Sequence, residues 1–146
     1  MTLFSAFQIS GSALTAEKLR MDVIAGNLAN MHSTRSPEGG PYRRRTVVFA
    51  EQLADWRQRV NPTGTPAGFN GAGVRVERIY ADWREPQLVF DPDHPDAWAD
   101  GYVRYPNVDL AKEMTAMITV LRSYEANTTA VNTAKSLYLK ALEIGR

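Results

Sequence analysis

Proline is confined to the middle of this chain: all eight lie between Pro37 and Pro106. All three tryptophans and seven of the ten glycines share that interval. A proline inside a helix removes a backbone hydrogen bond and clashes with the preceding turn. Two long proline-free flanks around a proline- and glycine-rich centre therefore predict a helix, an insert of loops and strands, and a second helix.

The C-terminal flank is the stronger of the two signals. Pro106 closes the preceding loop, Asn107 or Asp109 supplies an N-cap, Glu113 falls near the first turn, and Gly145 stands where the helix is expected to stop. Leu110, Met114, Met117, Leu121, Tyr124, Val131, Tyr138 and Leu142 recur three, four or seven apart, a coiled-coil-like stripe. From Asn107 to Glu143 a continuous helix spans about 55 Å at roughly 1.5 Å per residue, too long for the core of a compact domain of this size. Its centre, Asn127 to Ser136, is rich in Asn, Thr and Ser, which compete for the helix's own backbone hydrogen bonds. Thr128 and Lys135 occupy stripe positions where a coiled coil prefers Leu or Ile. The expectation is a helix that needs neighbours to pair its polar seam and is ordered by assembly.

The N-terminal flank reads as a helix from Thr2 or Ser5 to Asn30. Phe7, Leu14, Met21 and Leu28 are spaced by seven, Ile24 joins the same face, and Ser10-Gly11-Ser12 is a candidate kink. Both flanks carry an apolar stripe and one insert joins them, so antiparallel pairing is expected. The fold class is then α+β: residues 1–31 and 107–146 form a composite helical domain and residues 32–106 a β-rich insert. Within the insert, 32–42 is a loop, 43–49 a strand, 61–73 a Pro/Gly linker, and 74–81, 87–90 and 102–105 further strands.

The totals exclude several functions. Lys plus Arg is 17 against Asp plus Glu 16, which gives no electrostatic pull toward nucleic acid or an anionic membrane. Arg43-Arg44-Arg45 is the only basic run and reads as a solvated strand edge. The absence of cysteine excludes disulfides, thiol chemistry and cysteine-based zinc sites. No apolar run approaches a membrane span, and the first residues lack the pattern of a cleaved secretory signal. The acidic loop from Asp91 to Gly101 holds four Asp and a His before its glycine, but it fails the calcium-loop spacing: counted from Asp96, position three is Trp98 and position twelve is Asn107. Its residues serve turns instead. No nucleophile elbow, Walker loop or dinucleotide motif is present, so neither catalytic residues nor a cofactor or metal is assigned. The competing reading from the residues alone is a monomeric binding module whose insert grips a ligand on a helical scaffold.

Two stretches then carry a resemblance. Ser10-Gly-Ser-Ala-Leu-Thr-Ala-Glu-Lys-Leu-Arg-Met-Asp-Val-Ile-Ala-Gly-Asn-Leu-Ala-Asn30 resembles the N-terminal signature of bacterial flagellar rod, hook and axial proteins, and Glu113 to Asn127 resembles their C-terminal signature. Gly39 to Arg44, Val47 to Phe49, Asp91 to Asp96 and Gly101 to Asp109 are similar to the proximal rod proteins of that family, with Gly26, Met31-His32 and Trp98 as departures. The resemblance implies a structural subunit with no active site, exported by the flagellar type III apparatus without signal cleavage. It implies helical assembly in the periplasmic rod, transmitting torque from motor to hook. Implied partners are further copies of the chain, other rod proteins, the adaptor between the rod base and the MS ring, and the export apparatus. The residues named on the two stripes become the expected assembly interface.

Overall fold

The computed structural model describes residues 3–52 and 72–144, with side chains from Ser5 onward; the 61–71 part of the expected linker and the Gly145 helix stop lie outside these. The elements are α1 (Leu3–Ala29), β1 (Arg45–Glu51), β2 (Val74–Ala81), β3 (Gln87–Phe90), β4 (Tyr102–Tyr105) and α2 (Leu110–Ile144). The chain is α+β, with two long helices and a small β insert between them.

The strands at 74–81, 87–90 and 102–105 fall where the sequence places them. The first is displaced: it begins at Arg45 rather than Arg43 and runs to Glu51. β1 and β2 form one antiparallel ribbon with a bulge between Val48 and Phe49, and β3 and β4 form another. The two ribbons do not share a sheet. The first packs against α1.

α1 runs unbroken through Ser10-Gly11-Ser12. Ser12 Oγ donates to the Ile9 carbonyl at 2.7 Å and accepts the Val74 amide at 3.0 Å. The segment is thus a docking point for the start of β2. Gly73 sits there at a φ of +112°, and a Cβ on it would meet Ser12 Oγ at 2.2 Å, so the close approach requires glycine. At the other end Asn30 closes α1, its amide and its Nδ2 both donating to the Gly26 carbonyl at 3.1 and 2.9 Å.

Of the two candidate caps, Asp109 starts α2: its Oδ1 accepts the Ala111 and Lys112 amides at 2.9 and 3.3 Å. The carboxyl is held below the usual aspartate range, chiefly by the Lys112 amide. The polar centre behaves differently from expectation. Within it Asn127, Thr128, Thr129 and Ser136, and before it Thr115 and Thr119, each donate to the carbonyl four residues earlier, at 2.8–3.0 Å. Their donors are satisfied within the helix, and the need for neighbours does not come from them.

α2 packs antiparallel on α1, beginning where Asn27 of α1 meets Glu113 of α2 at 3.0 Å. Equal helix lengths back from Asn27 to Leu3 and forward from Glu113 reach Leu137. Accordingly Ala134 is the last buried residue of α2, and everything from Lys135 to Ile144 is exposed. The 35 residues of α2 span about 52 Å, against a diameter of roughly 38 Å for a compact domain of this chain length. The overhang follows from that difference.

Candidate assembly surface

A buried polar junction forms where the end of α1, the start of β1 and the first turn of α2 converge. Asn27 and Glu113 are both 0% exposed. Asn27 Nδ2 donates to Glu113 Oε2 and to the Arg45 carbonyl at 2.8 Å. Its Oδ1 accepts the Arg45 amide at 2.8 Å and the Tyr42 hydroxyl at 3.0 Å. Glu113 Oε1 receives Arg44 through Nε at 2.7 Å and a second guanidinium nitrogen at 2.6 Å, while Arg44 also donates to Thr46 Oγ1 at 2.8 Å. Burial pushes the Tyr42 hydroxyl up, with Arg45 opposing and Glu113 adding to the shift. Every member has its partners, the condition under which a buried polar network fixes one arrangement rather than weakening it. The junction sets how the helix pair meets the insert.

Sequence reasoning places Glu113 as a first-turn residue and Arg44 on a solvated edge. Arg44 instead points inward. An asparagine as the one polar side chain of the run Val23 to Ala29, and one arginine of a triplet at a strand start, are the available signals.

The two predicted stripes divide. On α1, Ile24 is buried, and Phe7, Leu14, Met21 and Leu28 are half-buried. On α2, Met117, Tyr124 and Val131 are half-buried beside the buried Glu113, Val120 and Ala134, which line the face against α1. Leu110, Met114 and Leu121 are exposed, Leu121 at 44%, and Ile118 joins them. At 100° per residue these four lie roughly a quarter turn from the buried row, forming a second apolar face that nothing among the described residues covers. Tyr138 and Leu142 continue the azimuth of the buried row beyond the end of α1 and are exposed with Leu137, Leu139 and Ile144.

The β3–β4 ribbon carries a third uncovered surface. Val103 is fully buried, whereas Leu88, Val89, Phe90, Tyr102 and Trp98 are exposed. Its connecting loop is held by turns and by Asp96, which accepts Thr34 Oγ1 at 2.7 Å and Arg35 Nε at 2.6 Å. Those contacts, Thr34 first, hold the Asp96 carboxyl below its ordinary value. The Asp96 amide donates to His94 Nδ1 at 3.0 Å, and Tyr105 lies between the edges of His32 and His94. The loop's histidine and Asp96 carboxylate are therefore engaged in folding.

Buried apolar residues among those described are few: Ala16, Ile24, Val103, Val108, Val120 and Ala134. Contiguous exposed apolar faces on so small a core are the signature of a protein interface rather than of a free monomer.

Two family models match: one described as "Flagella basal body rod protein" over residues 7–35, and one described as "Flagellar basal body rod FlgEFG protein C-terminal" over 99–144. The matched stretches contain α1 from Phe7 and all of α2. The flagellar basal-body rod protein FlgC of Bacillus subtilis is 45% identical over 150 residues, covering 100% of both chains. That of Yersinia enterocolitica is 44% identical over 146 residues, again covering 100% of both. The FlgC of Aquifex aeolicus is 35% identical over 151 residues, with 98% of this chain and 97% of its own covered.

Proposed function

Because the chain belongs to the FlgC family of flagellar basal-body rod proteins and is a structural subunit of the basal-body rod, not an enzyme, we propose how it builds that rod. Subunits assemble helically through the apolar face of Leu110, Met114, Ile118 and Leu121 and through the overhanging end of α2. The observation that carries this reading is the pair of uncovered apolar surfaces on one helix, one beside α1 and one beyond it. The composite of residues 1–31 and 107–146 forms the rod-building unit, and 32–106 faces outward as the insert. The half-buried α1 positions Phe7, Leu14, Met21 and Leu28 complete their burial in the assembly.

Family membership supports the rest. The subunit reaches the periplasm through the flagellar type III export apparatus, and no described helix is long and apolar enough to cross a membrane. It stands in the proximal rod near the adaptor to the MS ring, against other rod proteins and other copies of itself. Interdigitated apolar side chains pack to the density of a crystal and transmit strain with little compression, which suits a shaft carrying torque to the hook.

Leu121→Asp tests the interface. The side chain is exposed in the single chain, so the free subunit retains its stability; burial against a neighbour would strand an unpaired charge. Cells carrying only this variant are expected to export the subunit, yield basal bodies without it and not swim. Normal swimming with the variant incorporated would remove this face from the interface.

A further inference from the structure

Two sets of charged side chains lie outside the hydrogen bonds of the junction and outside the apolar faces. In the extended chain at Arg43-Arg44-Arg45 successive side chains alternate. Arg44 turns inward to Glu113, which leaves Arg43 and Arg45 on the opposite side. There they line a concavity of about 390 Å³ with Pro37, Glu38, Tyr42, Ile79 and Tyr80, so that two guanidiniums outnumber one carboxylate. Arg43 lies over the exposed Trp83 ring at 4.0 Å, and among the described residues neither Arg43 nor Arg45 has a carboxylate partner. The floor of the concavity is tied to the junction, since the Tyr42 hydroxyl reaches Asn27.

The second set lies at the acidic loop tip. Its turns are made by the Asp91 and His94 carbonyls and the His94 ring, and the loop is anchored by Asp96 to Thr34 and Arg35. Pro92 and Asp93 take no part in this. Asp93 is exposed, with no hydrogen bond or ion pair among the described residues. A fixed loop thus presents the Asp93 carboxylate at its tip beside Pro92, with the Asp91 and Asp100 carboxylates also unpaired among the described residues.

We infer that the Pro92-Asp93 tip of one subunit inserts into the Arg43/Arg45 concavity of a second copy of this chain. The concavity is too small for a helix, whose diameter is about 10 Å, and suits a two-residue tip with an anionic group between two guanidiniums. Pro92 meets the apolar walls of Pro37, Ile79 and Tyr80. Because the two halves are different patches of the same chain, the contact is heterologous. Such contacts propagate as an open helix unless the rotation closes a ring. The inference rests on the rod reading and adds to it a contact made by the insert.

The test is charge exchange in the full chain, produced as the only copy in the cell. Arg45→Glu and Asp93→Arg change exposed side chains; the Arg45 hydrogen bonds to the junction are made by its backbone, and its charge bears only on the Tyr42 hydroxyl. Each alone is expected to reduce incorporation into isolated basal bodies, and the double exchange to restore it. Since the natural chain has no cysteine, Arg45→Cys and Asp93→Cys subunits made together are expected to give a dimer in basal bodies treated with a short bismaleimide, whose span replaces the length of the lost arginine side chain that a direct disulfide could not bridge. Either one alone should give none. Failure of the double exchange to restore incorporation overturns the contact, as does a cross-link from the Arg45→Cys subunit to a different rod protein in place of the dimer. Absence of the unaltered chain from basal bodies would overturn the rod reading itself, and the contact with it.

Discussion

Replacing Arg44 by Met tests whether the buried junction holds the insert to the helix pair. The substitution removes the guanidinium that donates to Glu113 at 2.7 and 2.6 Å while leaving the carboxylate at 0% exposure. Breaking a buried ion pair from one side costs about 3–5 kcal/mol, because the remaining charge stays buried without its partner. Arg44 itself is 26% exposed, so water reaches its end of the pair and the lower half of that range applies. With a urea slope of about 2 kcal/mol per molar, a loss near 3–4 kcal/mol moves the unfolding midpoint down by roughly 1.5–2 M. Glu113→Gln should be milder, about 1–3 kcal/mol, since the amide keeps the shape and one acceptor. Arg44→Met combined with Glu113→Leu should recover much of the loss, because no charge is then left buried. Urea unfolding followed by circular dichroism measures all three. An Arg44→Met shift under about 0.5 kcal/mol, or a double variant as unstable as the single one, would show that the pair is not what fixes the junction.

Val120 is fully buried against α1, and Val120→Ala should cost about 2 kcal/mol in the free subunit from two lost methyl equivalents and the cavity left behind, read as a lowered Tm. Gly101→Ala forces a residue with a Cβ into a φ of +75° and places that atom 2.8 Å from Phe90 Cε2. It should destabilise the β3–β4 ribbon by about 1–2 kcal/mol, seen as faster amide exchange there than in β1–β2. Asp82 is held down to about 2 by Arg84. A depressed carboxylate contributes stability above its unfolded value and loses it as pH falls toward the folded one. Arg84→Met should flatten that acid limb only slightly, and only at low salt, since the Arg84 end of the pair is solvated; an unchanged acid limb would show that the pair contributes nothing.

What is legible in the sequence is whatever depends on neighbouring residues. The proline-free flanks, the Asp109 cap and the strands at 74–81, 87–90 and 102–105 all follow from local backbone chemistry. The junction is not legible because its members lie far apart: Asn27 and Glu113 are separated by 86 residues and Arg44 and Glu113 by 69. Nothing local distinguishes an inward Arg44 from its outward neighbours. The stripe on α2 is legible as apolar but not as two faces. Heptad spacing fixes which residues share a side, whereas the position of α1, set by the junction, decides that Val120 is buried and Leu121 is not. The polar centre misleads in the opposite direction, since Thr and Asn at helix positions satisfy themselves by bonding back one turn. The case for assembly therefore rests on uncovered apolar faces rather than on unpaired polar groups.

The central claim is that this subunit joins the rod through the second face of α2. A density map of the rod in intact basal bodies, at a resolution that shows side chains, tests it directly. Leu110, Met114, Ile118 and Leu121 should lie within about 4.5 Å of apolar side chains from a neighbouring subunit, with the end of α2 covered as well. The same four side chains facing solvent in the assembled rod would contradict it.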